Sequence, residues 1–169
     1  MFKSREDLDV IVDYHPNFEE FKPKILKDMD NHELLTYDTN LKATRTAWDT
    51  QSPFIEQINE LVCLLIVGRP KWSWMKNLAA DFTENWFARY NKGDYAIPHD
   101  HMPFTFSYVF FINSPEGSSP LVFTNSEKEV EPDEGKLVVF PSVLGHHVPK
   151  NNCDNRIILA GNCYVREVR

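Results

Sequence analysis

The sequence predicts a mainly β domain, a sandwich or barrel with helices ahead of it, and three observations carry that expectation. From Phe82 onward, short runs of β-branched and aromatic residues recur, each closed by a cluster of Gly, Pro, Asn or Asp. Before Trp72, two stretches instead repeat their apolar residues at helical intervals. The 169 residues are enough for a hydrophobic core, and no repeat, low-complexity tract or long Gly/Ser linker divides them. A single domain over residues 1–169 is expected, with a helical part over about 1–71 and a β core over about 72–169.

In the first helix Asn17 and Glu20 stand at capping-box spacing, and Phe18, Phe21, Ile25 and Met29 form the apolar stripe. Pro23 is expected to fall in its first turn or to break it. The second helix opens with Ser52 as cap and Pro53 in the first turn, carries Phe54, Ile58, Leu61, Val62 and Leu65 as its stripe, and stops at Gly68. Strands are expected over 82–90, 95–101, 105–112, 121–124, 136–140, 146–149 and 156–165, with turns at 91–94, 113–117 and 132–135. Short strands at this spacing close into a sandwich or barrel, whose outer face the helices can brace. The segment Thr36 to Thr50 reads as a surface connection in preference to a substrate-recognition loop.

A formal charge of -7 argues against a broad electrostatic grip on nucleic acid or anionic membrane. Cys63, Cys153 and Cys163 show no CxxC spacing, which favours reduced thiols in a cytosol. The first seven residues hold no apolar signal core, and the longest apolar run, Leu61 to Val67, is too short to span a bilayer. The expected location is cytoplasmic, with no membrane partner.

Two histidine clusters concentrate the chemistry: His99-Asp100-His101 at one strand end and His146-His147 at another. Side chains alternate across a strand, so His99 and His101 face together and Asp100 faces away. A third imidazole, from His146 or His147, completes a facial set with open positions opposite, the arrangement of non-haem Fe(II). Three imidazoles and a water also make a catalytic zinc set. Taken singly, each cluster is better read as surface or satisfied core histidine; their joint occurrence at strand ends favours a metal. Arg156 opens the apolar strand Arg156-Ile157-Ile158-Leu159-Ala160, where an unpaired charge costs several kcal/mol. Its guanidinium is a fork for a carboxylate, either a ligand's or a surface one such as Asp133 or Glu134. Trp72, Trp74, Trp86, Phe104, Phe106 and Phe110 are read as core aromatics and assigned no function.

The runs 86–94, 99–101, 107–112, 135–142 and 146–148, followed by Arg156, resemble in order and spacing the 2-oxoglutarate and Fe(II)-dependent oxygenases, and in particular small members that include phage-encoded proteins. The resemblance covers roughly residues 72 to 165. It implies a double-stranded β-helix, a distorted jelly-roll of cupin-like form, in which an HxD, HxE or HxH pair and a distal histidine hold Fe(II). It implies 2-oxoglutarate and O2 as cosubstrates, and an arginine beyond the distal histidine for the far carboxylate. Carried over, the metal ligands are His99, His101 and His146, with His146 preferred to His147, and Arg156 is the cosubstrate arginine. Tyr90, Asn162 and Ser107 are further cosubstrate-pocket candidates, Asn162 because strand parity puts it on the side of Arg156. No catalytic side chain is assigned beyond the metal ligands.

Two departures from the family pattern stand out. His101 occupies the usual carboxylate position, with Asp100 displaced by one; three histidines are preferred because alternation aims Asp100 away unless the strand bulges. Asp100 is then a candidate acceptor that orients a ligand imidazole. Ile158 stands where a polar residue is common, leaving Ser107 or Tyr108 to supply the hydroxyl. The implied activity is hydroxylation of an unidentified substrate, a small molecule or a protein side chain, in the cytoplasm, including the host cytoplasm if the protein is virus-encoded. The alternatives are a cupin-like three-histidine metalloenzyme that does not use 2-oxoglutarate, and a non-catalytic jelly-roll binding or virion-associated module.

Overall fold

In the computed structural model, which describes residues 10–68 and 78–167, the elements run in chain order β1 (Ile11–Tyr14), α1 (Phe18–Met29), β2 (Leu35–Thr36), β3 (Leu41–Lys42), β4 (Thr44–Arg45), α2 (Pro53–Val67), β5 (Leu78–Tyr90), β6 (Tyr95–His99), β7 (Phe106–Asn113), β8 (Leu121–Phe123), β9 (Lys128–Val130), β10 (Lys136–Pro141), β11 (His146–Val148) and β12 (Arg156–Glu167). The strands form a seven-stranded sheet, β1-β10-β7-β12-β5-β4-β2, and a five-stranded sheet, β3-β6-β11-β8-β9, with antiparallel pairing throughout. This is the expected mainly β architecture, a double-stranded β-helix with helices against it.

The central strands of the large sheet are apolar on both faces because each face meets a different core. On β12, Ile157, Leu159 and Cys163 pack with the helices, whereas Ile158 and Ala160 face the small sheet. Strand alternation divides β7 in the same way, with Phe106, Tyr108, Phe110 and Ile112 on the helix side and Val109 and Phe111 between the sheets.

Helix α1 buries Phe18, Phe21, Ile25 and Met29 as the periodicity predicts. Its start differs from expectation. Asn17 makes no side-chain cap; its own backbone N–H donates to His15 Nδ1 at 3.3 Å. Pro23 lies inside the helix without ending it, at an exposed position where water can reach the carbonyl that the proline leaves unpaired. At α2 the expected cap is present, with Ser52 Oγ accepting from the Ile55 N–H at 3.1 Å and Pro53 in the first turn. The buried stripe is Ile55, Ile58, Val62 and Ile66, rotated from the predicted one, so that Phe54, Leu61 and Leu65 flank it.

The residues before β5 do more than brace the barrel. β1 extends one edge of the large sheet, and β2 and β4 extend the other. Between β3 in the small sheet and β4 in the large one stands only Ala43, so this stretch straps the two sheets together at one side. Segment 36–50 is thus structural, not a surface connection: Arg45, Thr46 and Thr50 are buried, and Thr46 Oγ1 accepts the Phe87 N–H at 3.1 Å.

Candidate metal centre

β6 and β11 are neighbours in the small sheet, and their register puts His99 directly opposite His146. Directly opposed side chains share a face and come close. His101 lies two residues beyond His99, just past the end of β6, because its N–H leaves the ladder to donate to the Ser142 carbonyl at 2.9 Å. The three rings converge, with centroids 4.4 Å apart for His99 and His146, 4.9 Å for His99 and His101, and 5.0 Å for His101 and His146. One ring nitrogen from each lies within 4.8 Å of the others.

Hydrogen bonds to main-chain carbonyls orient two of the rings. His99 Nδ1 lies 2.7 Å from the Ile97 carbonyl and His146 Nδ1 lies 2.9 Å from the Leu144 carbonyl. A carbonyl only accepts, so Nδ1 carries the proton in both and Nε2 keeps its lone pair for a metal. The candidate orienting role of Asp100 is corrected here: its exposed carboxylate accepts the Met102 N–H at 3.0 Å, and backbone carbonyls hold the His99 and His146 imidazoles instead. Burial, helped by His99, pushes His101 down to about 3; burial likewise pushes His146 down to about 3, with His99 and His101 adding to it. His99 is lowered too, mainly by burial. All three are therefore neutral, as ligation requires. His147 alternates to the other side of β11 and does not join the cluster.

Arg156 is 1% exposed and stands opposite Tyr90 in the β5–β12 register. Its Cζ lies 4.6 Å from the Tyr90 ring centroid and 5.5 Å from that of Phe111. Its Nε and Nη1 are buried with no hydrogen-bond partner among the described residues. The surface carboxylates considered as partners are engaged elsewhere, Glu134 with Lys22 and Asp133 with Lys136 and Tyr14. Burial lowers Arg156 from its ordinary value and raises the Tyr90 hydroxyl, and each partially offsets the shift of the other.

The three histidines, Tyr90 and Arg156 line one cleft between the sheets. Asn162 and Ser107 do not line it. They sit six residues along β12 from Arg156, about 20 Å away, where Ser107 Oγ donates to Asn162 Oδ1 at 2.7 Å and lies 2.8 Å from Ser142 Oγ. Tyr108 supplies no hydroxyl to the cleft either: its OH lies between Asn59 and Asn85, at 3.0 and 2.9 Å. Trp48 belongs to the segment for which a surface connection was preferred to a substrate-recognition loop. It lines the cleft and meets Trp86 edge-on at 4.5 Å, and Trp86 lies 6.1 Å from the His101 ring. The only sequence signal for it was its place in segment 36–50. Of the other aromatics, Phe106 and Phe110 belong to the helix-side core, Phe104 packs on Tyr164, and Trp72 and Trp74 lie outside the described residues.

No family model matches the sequence, and no curated protein matches it. Solved structures do match the fold. A prolyl-4-hydroxylase from Pseudomonas putida superposes with a TM-score of 0.69 at 20% identity, over 92% of this chain and 92% of that one. The viral collagen prolyl hydroxylase of Paramecium bursaria Chlorella virus-1, solved as a 2-oxoglutarate complex, gives 0.68 at 14% identity over 93% and 96%. A Trichoplax adhaerens prolyl hydroxylase in complex with a peptide fragment of hypoxia inducible factor gives 0.65 at 15% over 91% and 83%. The likeness is one of fold, and it spans nearly the whole chain.

Proposed function

We propose that this chain is a 2-oxoglutarate- and Fe(II)-dependent oxygenase, coupling oxidative decarboxylation of 2-oxoglutarate to hydroxylation of a second substrate. The observation that carries the reading is the presence, in one cleft, of three neutral imidazoles and a fully buried guanidinium with two unpartnered N–H groups. A buried cation with orphaned donors is costly unless a ligand brings acceptors to it. A dicarboxylate meets that need, with one end for the metal and the other for the Arg156 fork. The prolyl hydroxylases that share the fold, one of them solved with 2-oxoglutarate, support the same assignment.

The donor set fits Fe(II): three imidazoles on one face, two of them fixed with Nε2 available, leave the opposite positions open. Iron and 2-oxoglutarate, when bound, supply the O2 activation that yields succinate and CO2 and oxidises a C–H bond. The chain's own groups bind and orient. His99, His101 and His146 hold the metal, Arg156 takes the far carboxylate with Tyr90 packed against it, and the apolar walls exclude water. The second substrate is a small molecule or a protein side chain, and the chain acts as a single domain in the cytoplasm. Among the described residues no helix is long and apolar enough to cross a membrane.

The test is anaerobic calorimetry of Fe(II) and then 2-oxoglutarate, followed by measurement of succinate in air. Arg156→Gln is expected to weaken 2-oxoglutarate binding at least 100-fold. A protein that binds metal but not 2-oxoglutarate is the cupin-like metalloenzyme. One that binds neither is the non-catalytic module.

A further inference from the structure

Along the inner face of β5 and β12 the paired residues form a ladder: Tyr90 opposite Arg156, Ala88 opposite Ile158, Trp86 opposite Ala160, and Glu84 opposite Asn162. The first rung holds the orphaned cation. The third stands beside the metal ligands, as the 6.1 Å between Trp86 and His101 shows. The fourth, about 7 Å farther out, carries a carboxylate.

That carboxylate is held by a hydrogen-bond chain with one direction. Asn162 Nδ2 donates to Glu84 Oε2 at 2.7 Å, and Ser107 Oγ donates to Asn162 Oδ1 at 2.7 Å. Since the Ser107 proton is committed there, Ser142 Oγ must donate to Ser107 across their 2.8 Å contact. Ser142, Ser107 and Asn162 are each at most 2% exposed, and the Ser142 carbonyl also accepts the His101 N–H. Each donor in the chain polarises the next toward Glu84. The relay ends on Glu84 as acceptor, and its second carboxylate oxygen can accept a further donor. Two residues along the same strand face stands Trp86, edge-on to Trp48 at 4.5 Å, and indole ring faces attract cations. Trp48 already stacks on one: Arg45 Cζ lies 3.2 Å from its ring centroid and 3.8 Å from that of Tyr37. Arg45 donates to the Thr46 carbonyl at 2.7 Å, and the charge of Glu84 acts on it from beyond ion-pair distance, partly offsetting the lowering that burial imposes.

We infer that Glu84, with Trp86 and Trp48, is the anchoring subsite for the second substrate, and that this substrate presents a cationic N–H donor, a protonated amine or guanidinium. The inference rests on the oxygenase reading for the place of the metal. It gives the ladder opposite charges at its ends, Arg156 for the cosubstrate carboxylate and Glu84 for the substrate cation, with the metal ligands between.

The test is anaerobic calorimetry on protein loaded with Mn(II) and 2-oxoglutarate, using Nα-acetyl-lysine amide and its uncharged counterpart Nα-acetyl-norleucine amide. The wild-type protein is expected to bind the lysine probe at least tenfold more tightly. Glu84→Gln, which keeps the shape, is expected to bring the two within twofold, whereas Glu84→Asp keeps the preference. The ratio is taken within each variant, so a loss of folded protein does not move it. Equal binding of the probes to wild type, binding of neither, or a preference that survives Glu84→Gln overturns the subsite. Failure of wild type to bind 2-oxoglutarate overturns the oxygenase reading instead, and the probe comparison repeated with Mn(II) alone still reads Glu84.

Discussion

The three imidazoles of the cleft owe their neutrality to burial, and this has consequences in acid. His101 and His146 are pushed down to about 3, while the unfolded chain titrates near 6.5. Between those values the unfolded chain binds protons that the native protein refuses, so their contribution is fully present above pH 6.5 and falls as the pH drops. Metal-free protein is expected to lose up to about 4 kcal/mol between pH 7 and pH 5 from these two residues. Urea unfolding at the two pH values measures it, and equal stabilities would remove burial as the cause. His101 and His146 themselves stay unprotonated over the same range. Neither is therefore expected to cost metal affinity more than about twofold between pH 7 and pH 5, whereas an exposed histidine would lose about tenfold per pH unit. His99 and His101 were legible in the sequence because strand parity fixes which neighbours share a face, and His146 was preferred to His147 only through the family resemblance. Trp48 was not legible, since it follows a two-residue strand with no period to read.

Elements announce themselves when they are long enough to show a period or carry a stop signal. The strands expected from 82, 95, 105, 121, 136, 146 and 156 all appear, with ends shifted by up to four residues. β2, β3 and β4 are two residues each, and tertiary pairing alone makes them strands. The phase of α2 was misread for a related reason. Leu61 to Val67 is apolar all round, so no polar face fixes the stripe, and the sheet beneath selects Ile55 and Ile66. The two helix starts make a paired prediction. Ser52→Ala removes a side-chain cap that exists and is expected to cost about 1 kcal/mol. Asn17→Ala removes one that does not form and is expected to cost under about 0.5 kcal/mol. Thermal unfolding of the two variants compares them directly.

At the scale of the molecule, the large sheet separates two cores with different duties. The helix-side core joins α1 and α2 to the sheet's outer face, and the inter-sheet core surrounds the cleft. Short strands at regular spacing predicted a sandwich or barrel braced by helices, but not that the N-terminal part would also strap the sheets together through β3 and β4. The two cores should respond differently to the same kind of damage. Ile58 is fully buried on α2 with the helix-side core around it. Ile58→Ala is expected to cost about 2–4 kcal/mol and to leave metal affinity within twofold, because the sheet stands between the cavity and the histidines. Phe140 is as buried, but it faces the cleft with its ring 4.9 Å from that of His146, in an edge-on contact. Phe140→Ala is expected to cost about 3–5 kcal/mol and also to weaken metal binding at least tenfold, since the space it opens frees a ligand ring to rotate. Denaturant unfolding and metal titration of both variants separate the effects. A loss of metal affinity in Ile58→Ala equal to that in Phe140→Ala would mean that the sheet transmits the damage and the two cores act as one.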